Sequence, residues 1–201
     1  MTAEILTRGE QTREQILQAA YLLFLRQGYH GTSMRQIAEG AGIALGGIYN
    51  HFPGKESIFV ANLAANHPIH KILPSLSSAQ GASVEELVRD AANQMTAVLE
   101  KDRDFLNLVF IELVEFDGQH FPEIIANLLP LAMEFMQRLK LAEGEVRPFP
   151  PMIILRSFIG LFFSYVFTGM LLGKQFQNQM TDHALDAFVD IYLHGILGKE
   201  G

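Results

Sequence analysis

The sequence predicts an all-α protein, with a small helical domain over residues 1–66 and a larger helical domain over residues 67–201. Apolar residues recur at the three- and four-residue spacing of amphipathic helices along most of the chain, and about nine helices are expected. Alternation typical of strands never extends beyond a few residues. The sequence has no cysteine, which excludes disulfides, thiolate metal sites and cysteine nucleophiles.

Four helices are predicted in the first domain, and the fourth ends one residue beyond the predicted boundary. The first helix is expected over residues 11–26, and a capping box of Ser33 with Gln36 opens a short second one. A third helix over residues 44–51 follows a glycine turn. The fourth, over residues 55–67, ends there because proline disfavours helical geometry in the residue before it.

Five further helices are predicted in the second domain. They are expected over about residues 83–100, 104–116, 122–142, 152–172 and 181–197. The stretch before them, residues 68–82, is rich in small residues and is interpreted as a connection. Residues 1–66 carry five cations and five anions, so the whole net charge of −7 belongs to the second domain. A neutral first domain beside an acidic second one fits a first domain that faces phosphates and a second domain that should not contact DNA, although the first domain is weakly basic for a DNA-binding domain.

Residues 33–52 have the layout of a helix-turn-helix, in which the second of two short helices is presented to the major groove of DNA. Small or branched apolar residues would hold the two helices together: Ile37, Ala38, Ala41, Ile43, Ile48 and Phe52. Gly42 suits the left-handed position of the turn. Residues 1–66 are therefore expected to form a DNA-binding domain.

The same segment resembles the TetR (tetracycline-repressor-like) family of transcriptional regulators. The resemblance lies in Gly28-Tyr29, Thr32-Ser33, Ile37-Ala38, Ala41-Gly42-Ile43, Gly46, Ile48-Tyr49, His51-Phe52 and Lys55. It implies a homodimeric repressor that a small-molecule effector releases from palindromic operator DNA. The polar N-terminus has no signal-peptide pattern, so a cytoplasmic location is expected.

The resemblance also implies which residues lie near DNA. Phosphate contacts are expected from Thr32 or Ser33, Tyr49, His51 and Lys55, and proximity to base edges from Leu45, Gly46, Gly47 and Asn50. Ala44 opens the recognition helix, where the family usually has Ser or Thr. Because alanine has no side-chain oxygen to cap the helix, the expected cost is about 1 kcal/mol.

The second domain is expected to bind an apolar ligand. The helix predicted over residues 104–116 is apolar around most of its circumference, which favours burial between neighbours where a pocket can form. The predicted lining residues are Phe105, Val109, Glu112, Leu113, Phe116, Phe135, Phe158, Phe162 and Tyr165. Core packing explains each aromatic residue taken alone more simply. Taken together, 15 phenylalanines without a tryptophan favour an apolar ligand.

An acidic cluster follows the same helix and includes Glu112, Glu115, Asp117 and His120. Its spacing lacks the histidine and carboxylate pairs typical of metal sites, so solvated carboxylates at a helix end are the favoured interpretation. No metal and no cofactor are expected.

The last two predicted helices are expected, by resemblance, to form the dimer interface. The predicted interface residues are Ser157, Gly160, Ser164, Leu185, Phe188, Ile191, Tyr192, Gly195 and Ile196. Residues 151–173 approach the length of a membrane span, but Arg156 and a row of small residues favour a soluble helix interface instead. No membrane partner is expected.

Two other classes of function remain open. A helical dimer could serve as a protein-interaction module without DNA, and a small-molecule-binding enzyme is the weaker alternative. The sequence has no nucleophile elbow, phosphate loop or paired histidine-carboxylate motif, so we expect no enzymatic activity.

Overall fold

A computed structural model describes residues 7–66, 76–101, 104–177 and 183–196. The helices are α1 Arg8–Gln27, α2 Met34–Gly40, α3 Leu45–Ile48, α4 Lys55–Asn66, α5 Val84–Lys101, α6 Asp104–Glu115, α7 Phe121–Leu141, α8 Pro151–Gln177 and α9 Ala184–Ile196. The described residues contain no β-strand, and Ser83 and Glu143 form an isolated bridge. The predicted all-α class is confirmed.

Capping boxes start three of these helices. Ser33 Oγ accepts the backbone N–H of Gln36, and the Gln36 side chain accepts the N–H of Ser33 at 2.9 Å, as predicted. Ser83 forms the equivalent pair with Glu86 at the start of α5. A third box, of Thr7 with Glu10, starts α1 earlier than expected. These short-range bonds satisfy helix N–H groups that have no partner within the helix.

The recognition helix α3 is shorter than predicted. It covers four residues, and the chain continues as a turn over residues 49–51. The backbone N–H groups of His51 and Phe52 both donate to the Ile48 carbonyl at 3.0 Å, which closes this turn. Ala44 makes no side-chain capping bond, as its side chain predicts.

The described chain divides into two compact units. Unit 1 contains α1 to α4 together with α6 and the residues after it up to 124, and unit 2 contains α5, the rest of α7, α8 and α9. This division differs from the predicted boundary at residue 66, because α6 packs against α1 and α4. The boundary itself adjoins residues 67–75, which lie outside the described residues.

Aromatic rings dominate the core of unit 1. The buried Phe24 and Phe59 meet edge to face with centroids 5.5 Å apart, and Tyr29 stacks on Phe24 at 5.8 Å. From the end of α6, Phe116 stacks on Phe59 at 5.1 Å. Burying such rings is worth several kcal/mol in total. The core therefore fixes α6 to the helices that carry the helix-turn-helix.

The core of unit 2 includes part of the segment that was predicted as a connection. Leu76 and Ala79 are buried among residues of α5, α7, α8 and α9. The Arg138 guanidinium donates to the Leu76 carbonyl at 3.2 Å and to the Ser77 carbonyl at 2.7 Å. The interpretation as connection is therefore wrong for residues 76–79, because an arginine from α7 satisfies their backbone while their apolar side chains enter the core.

By length and composition α8 could cross a membrane, over residues 151–171. One side of it is used inside the chain. Phe158 is buried there and lies 5.8 Å from the Phe135 ring and 5.5 Å from the Tyr192 ring, centroid to centroid. Core packing therefore accounts for the apolar residues on that side of the helix.

Candidate nucleic-acid interface

The turn between α2 and α3 has the geometry of a helix-turn-helix. Gly42 has a φ of 69°, a left-handed value that glycine adopts without strain. The N–H of Ile43 donates to the Ala38 carbonyl at 3.0 Å, and the side chains of Ile37 and Ile48 are fully buried. The inner face of α3 is thereby fixed, which leaves its outer face available to a partner.

The outer face of α3 is exposed, and two of its positions are glycines. Leu45 and Tyr49 are 44% and 53% exposed, and Asn50 is exposed beside them. A Cβ atom added at Gly46 or Gly47 would meet no other atom within 4 Å. Glycine inside a helix costs roughly 0.5–1 kcal/mol relative to alanine. Packing within the unit therefore requires neither glycine, and the bare backbone leaves room for a partner to approach this face closely.

Of the two predicted hydroxyl contacts, the structure leaves only Ser33 exposed. Thr32 is 2% exposed, and its Oγ1 donates to the Gly28 carbonyl at 2.8 Å. A side chain with its hydroxyl committed inside the unit cannot also reach a phosphate. We therefore assign Thr32 to the fold and retain Ser33, the N-cap of α2, as the candidate.

Lys55 is also engaged inside the unit. Its Nζ donates to the carbonyls of Tyr29 and Thr32 at 2.6 and 2.8 Å and lies 4.0 Å from the Tyr29 ring centroid. Burial lowers the pKa of Lys55, while the charge of Glu115 acts in the opposite direction. Lys55 thus ties the start of α4 to the loop before α2, so we reassign it from phosphate contact to positioning. His51, by contrast, is only partly buried.

Two exposed arginines near the helix-turn-helix were missed from the sequence. The Arg13 guanidinium lies 5.0 Å from the centroid of the Phe52 ring, just beyond α3, and Arg35 lies in the first turn of α2. The equal numbers of cations and anions in residues 1–66 gave no sign of them, because net charge does not show where the charged side chains lie. Arginines held at such places can contact phosphates.

A buried carboxylate at the end of α6 corrects the interpretation of the acidic cluster. Glu112 is fully buried and accepts two hydrogen bonds from His120, one from its N–H at 2.9 Å and one from Nδ1 at 2.8 Å. The positive φ values of Asp117 and Gly118, 52° and 75°, turn the chain back so that His120 reaches it. Solvation is therefore the wrong expectation for Glu112.

The same turn connects α6 to the rest of unit 1. His120 Nε2 lies 3.6 Å from a carboxylate oxygen of Glu56 in the first turn of α4. Glu115 pairs with His30, in the loop after α1. The Phe116 ring packs against the rings of both Tyr29 and His120, with centroids 4.8 and 5.1 Å away. Among the described residues no group of three or more His, Asp or Glu is arranged to hold a metal.

The predicted ligand-pocket residues divide between the two units. Phe105, Val109, Glu112, Leu113 and Phe116 belong to unit 1, and Phe135, Phe158, Phe162 and Tyr165 belong to unit 2. In unit 2, Phe158 meets Phe135 and Phe162 with centroids 5.8 and 4.9 Å apart. Most of these side chains pack in the core of their own unit, but Leu113 is 45% exposed, which is unexpected for a pocket residue. The assignment to a ligand pocket stays a prediction.

The predicted dimer residues differ in their exposure. Ser157, Gly160, Ser164, Ile191 and Gly195 are exposed, Leu185 and Phe188 are partly buried, and Tyr192 and Ile196 are buried. The Tyr192 hydroxyl donates to the Ile154 carbonyl at 3.1 Å, and burial raises the pKa of Tyr192. We therefore reassign Tyr192 and Ile196 to the core of unit 2. The others stay predicted interface residues.

Comparisons with known proteins agree with this architecture. Residues 16–61 match the family model of bacterial regulatory proteins of the tetR family. SrpR of Pseudomonas putida, an HTH-type transcriptional regulator, is 28% identical over 201 residues, with 94% of this chain and 88% of SrpR covered.

Two solved structures extend the comparison. A protein of Mesorhizobium loti assigned to the TetR-family transcriptional regulators has a TM-score of 0.70 and 25% identity, covering 96% of this chain and 100% of that one. FadR of Bacillus subtilis, solved with stearoyl-CoA, has a TM-score of 0.66 and 20% identity, covering 91% and 98%. The chain is thus similar to the tetR family of bacterial regulatory proteins over residues 16–61 and to HTH-type transcriptional regulators over most of its length, which supports a DNA-binding transcriptional regulator.

Proposed function

We propose that the chain is a homodimeric repressor that leaves a palindromic operator when an apolar small molecule binds its C-terminal domain. The observation that supports DNA reading most strongly is the open pair Gly46 and Gly47 on the outer face of α3. Leu45 can contact only a thymine methyl, whereas Asn50 can form the two hydrogen bonds that identify adenine. Specificity then depends on few side chains and on DNA shape.

An exposed apolar face on α8 supports dimerisation. Large side chains that are about half exposed or more lie along it at helical spacing: Met152, Ile153, Ile159, Phe163 and Leu171. Ile191 on α9 is 74% exposed, and neither Gly160 nor Gly195 has any atom near the position of an added Cβ. Apart from the exposed Arg156 between Met152 and Ile159, this side of α8 is apolar, and exposed apolar surface of this kind is typical of a protein interface. Two copies of α8 and α9 would form a four-helix contact about a two-fold axis.

The dimer is tested by the substitution Ile191→Asp. Because this side chain is exposed, the monomer should fold normally, while a buried charge at the interface should dissociate the dimer. Sedimentation analysis measures the change. The control Leu22→Asp, at an apolar side chain of α1 that is 57% exposed, should leave the dimer intact. A dimer unaffected by Ile191→Asp would remove this face as the interface.

A buried hydroxyl in unit 2 supports effector binding. Thr96 Oγ1 has no hydrogen-bond partner within the described residues, although the side chain is buried in α5. An unsatisfied buried polar group costs about 1–3 kcal/mol, which a hydrogen bond to a bound ligand would recover. FadR, which shares the fold, holds stearoyl-CoA, so the fold accommodates a ligand with a long apolar chain.

Repression would be relieved if the ligand favours a state that fits DNA poorly. A coupling free energy of about 1–3 kcal/mol changes operator affinity roughly 5–150-fold. We propose that α6 carries this coupling, because its end is bonded to α4 by His120 and to the loop after α1 by Glu115. A shift of α6 would move the elements that hold α2 and α3. The two recognition helices would then no longer match half-sites about 34–36 Å apart.

The proposed function is tested by selecting duplex DNA from a random pool with the purified dimer. We expect a palindrome whose affinity falls steeply with salt concentration, since each phosphate contact releases counterions. The selected duplex then serves to screen apolar compounds for release. A folded dimer that enriches no sequence at low salt would contradict the proposal and favour the protein-interaction module.

A further inference from the structure

A groove in unit 2 lies outside both the predicted effector pocket and the predicted dimer face. It has a volume of about 430 Å³ and lies where the loop between α7 and α8 passes over the two helices. Small-molecule sites span about 300–1,000 Å³, so the groove has room for a compact ligand.

The floor of the groove is apolar, and its wall is stiff. Met136 and Leu139 of α7 and Ile154 of α8 form the floor and are almost fully buried. The wall carries an exposed Phe149 between Pro148 and Pro150. Because each proline fixes its own φ, this wall loses little conformational entropy when a ligand binds.

The groove also presents two cations. Arg147 is held in place, since its backbone N–H donates to the Ile196 carbonyl at 2.8 Å and its Nη1 to the Gly195 carbonyl at 3.0 Å. Its guanidinium lies 4.7 Å from the Phe149 ring centroid. Lys140 lines the same groove with an exposed side chain. A guanidinium fixed in this way is prepared to pair with a carboxylate or phosphate.

The charge of the groove is opposite to that of the chain. The protein carries a net charge of −7, and yet no acidic residue is found among the described residues that line the groove. The acidic residues of the intervening loop, Glu143 and Glu145, are exposed outside this lining. Apolar floor and cationic rim together match a ligand with an apolar part and one negative group.

We propose that this groove binds a small amphipathic carboxylate as a second effector. The apolar part lies against Met136, Leu139 and Ile154, and the carboxylate pairs with Arg147 and Lys140. Arg147 donates hydrogen bonds to the last turn of α9, and Ile154 belongs to α8. A ligand in the groove would therefore contact residues that hold both of the helices assigned to the dimer interface. The role of this ligand as an effector rests on the proposed function, whereas its binding to the groove does not.

The test measures direct binding of octanoate to the DNA-free protein by calorimetry, with 1-octanol as the neutral counterpart. Each charge-assisted bond is worth about 1.5–3 kcal/mol, so octanoate should bind roughly ten-fold tighter or more than 1-octanol. Lys140→Gln should weaken octanoate binding by about ten-fold. The control Lys101→Gln, at an exposed lysine that ends α5, should leave it unchanged.

The position of binding is followed by NMR of ¹³C-methyl methionine. Octanoate should shift the Met136 resonance and leave that of Met34, in unit 1, in place. Equal affinity for octanoate and 1-octanol, equal effects of the two lysine substitutions, a stationary Met136 resonance, or no binding would each overturn the proposal. Arg147→Gln, which removes the other cation, should weaken octanoate binding as Lys140→Gln does. DNA is absent from these measurements, so a failure here is distinct from a failure to bind an operator.

Discussion

In unit 1 a buried carboxylate and a partly buried ammonium hold parts of the fold together, whereas in unit 2 the carboxylate that pairs with Arg89 lies near the surface and one side of α8 is apolar and exposed. Lys55 and the pair of Glu112 with His120 bridge distant parts of unit 1. In unit 2, Arg89 pairs with Asp190 where both side chains remain partly exposed. Unit 1 is therefore held in a definite geometry by internal polar bonds, as a surface that must match DNA requires.

Some of the residues that carry the resemblance to the TetR family form these internal polar bonds. Thr32 and Lys55 belong to the pattern that resembles the TetR family, and both use their polar groups inside unit 1. The exposed residues of α3 are less polar than those that support it. A recurring polar residue in such a domain can therefore position the reading helix without contacting DNA.

Substitution of His120 should have the largest effect on stability. His120→Ala removes the imidazole partner of the buried Glu112 carboxylate, which then keeps only the bond from the backbone N–H of residue 120, and we expect a loss of about 3 kcal/mol in the free energy of unfolding. Urea denaturation followed by circular dichroism measures it. The matched control is His183→Ala, because His183 forms a surface pair with Asp186 in which both side chains are more than half exposed. Equal losses in the two variants would remove the contrast between the units.

Lys55→Met should have the next largest effect, because it removes the ammonium while keeping most of the stem. Two bonds from the charged group to carbonyls are lost, so we expect about 1.5–3 kcal/mol of destabilisation. The salt dependence of operator binding should keep its slope, since Lys55 positions and does not neutralise a phosphate. A slope lower by about one would instead restore Lys55 as a phosphate contact.

One pair of identical substitutions should have opposite signs in the two units. Thr32→Val removes a hydroxyl that is bonded to the Gly28 carbonyl and should destabilise the protein by about 1 kcal/mol. Thr96→Val removes a buried hydroxyl with no partner among the described residues and should stabilise the effector-free protein by about 1 kcal/mol. Thermal unfolding at fixed protein concentration compares them. If both substitutions destabilise the protein, the Thr96 hydroxyl has a hydrogen-bond partner after all.

Arg13→Gln should have the smallest effect, and it tests a surface cation rather than an internal one. We expect operator affinity to fall similarly for all sequences and the salt slope to decrease by about one. The control is Arg26→Gln, an exposed arginine in the last turn of the same helix. If the two variants have the same salt slope, Arg13 does not contact a phosphate.

The sequence predicted those features that depend on nearby residues. The boxes at Ser33 and Ser83 need only a partner three residues away, and helical periodicity repeats every three or four residues. The helix-turn-helix could be placed for the same reason, since its turn and its buried faces lie within residues 33–52. Only the length of α3 was overestimated.

Features that depend on distant partners could not be predicted. Lys55 bonds carbonyls 23 and 26 residues away, and the sequence gives no direct sign of them. Glu112 meets His120 only because Asp117 adopts a positive φ, which is uncommon outside glycine. Periodicity also marked one apolar side of α9 without showing that Tyr192 packs inside unit 2 and Ile191 faces outward.

If the exposed face of α3 and the turn after it read base edges, Asn50→Ala should act on single base pairs of the selected operator. We expect a loss of discrimination of about 1–3 kcal/mol at one base pair in each half-site, with the other positions unchanged. The control Asn107→Ala, an exposed asparagine on α6, should change no position. A uniform loss at all positions, or none, would contradict the claim that this face of α3 reads DNA.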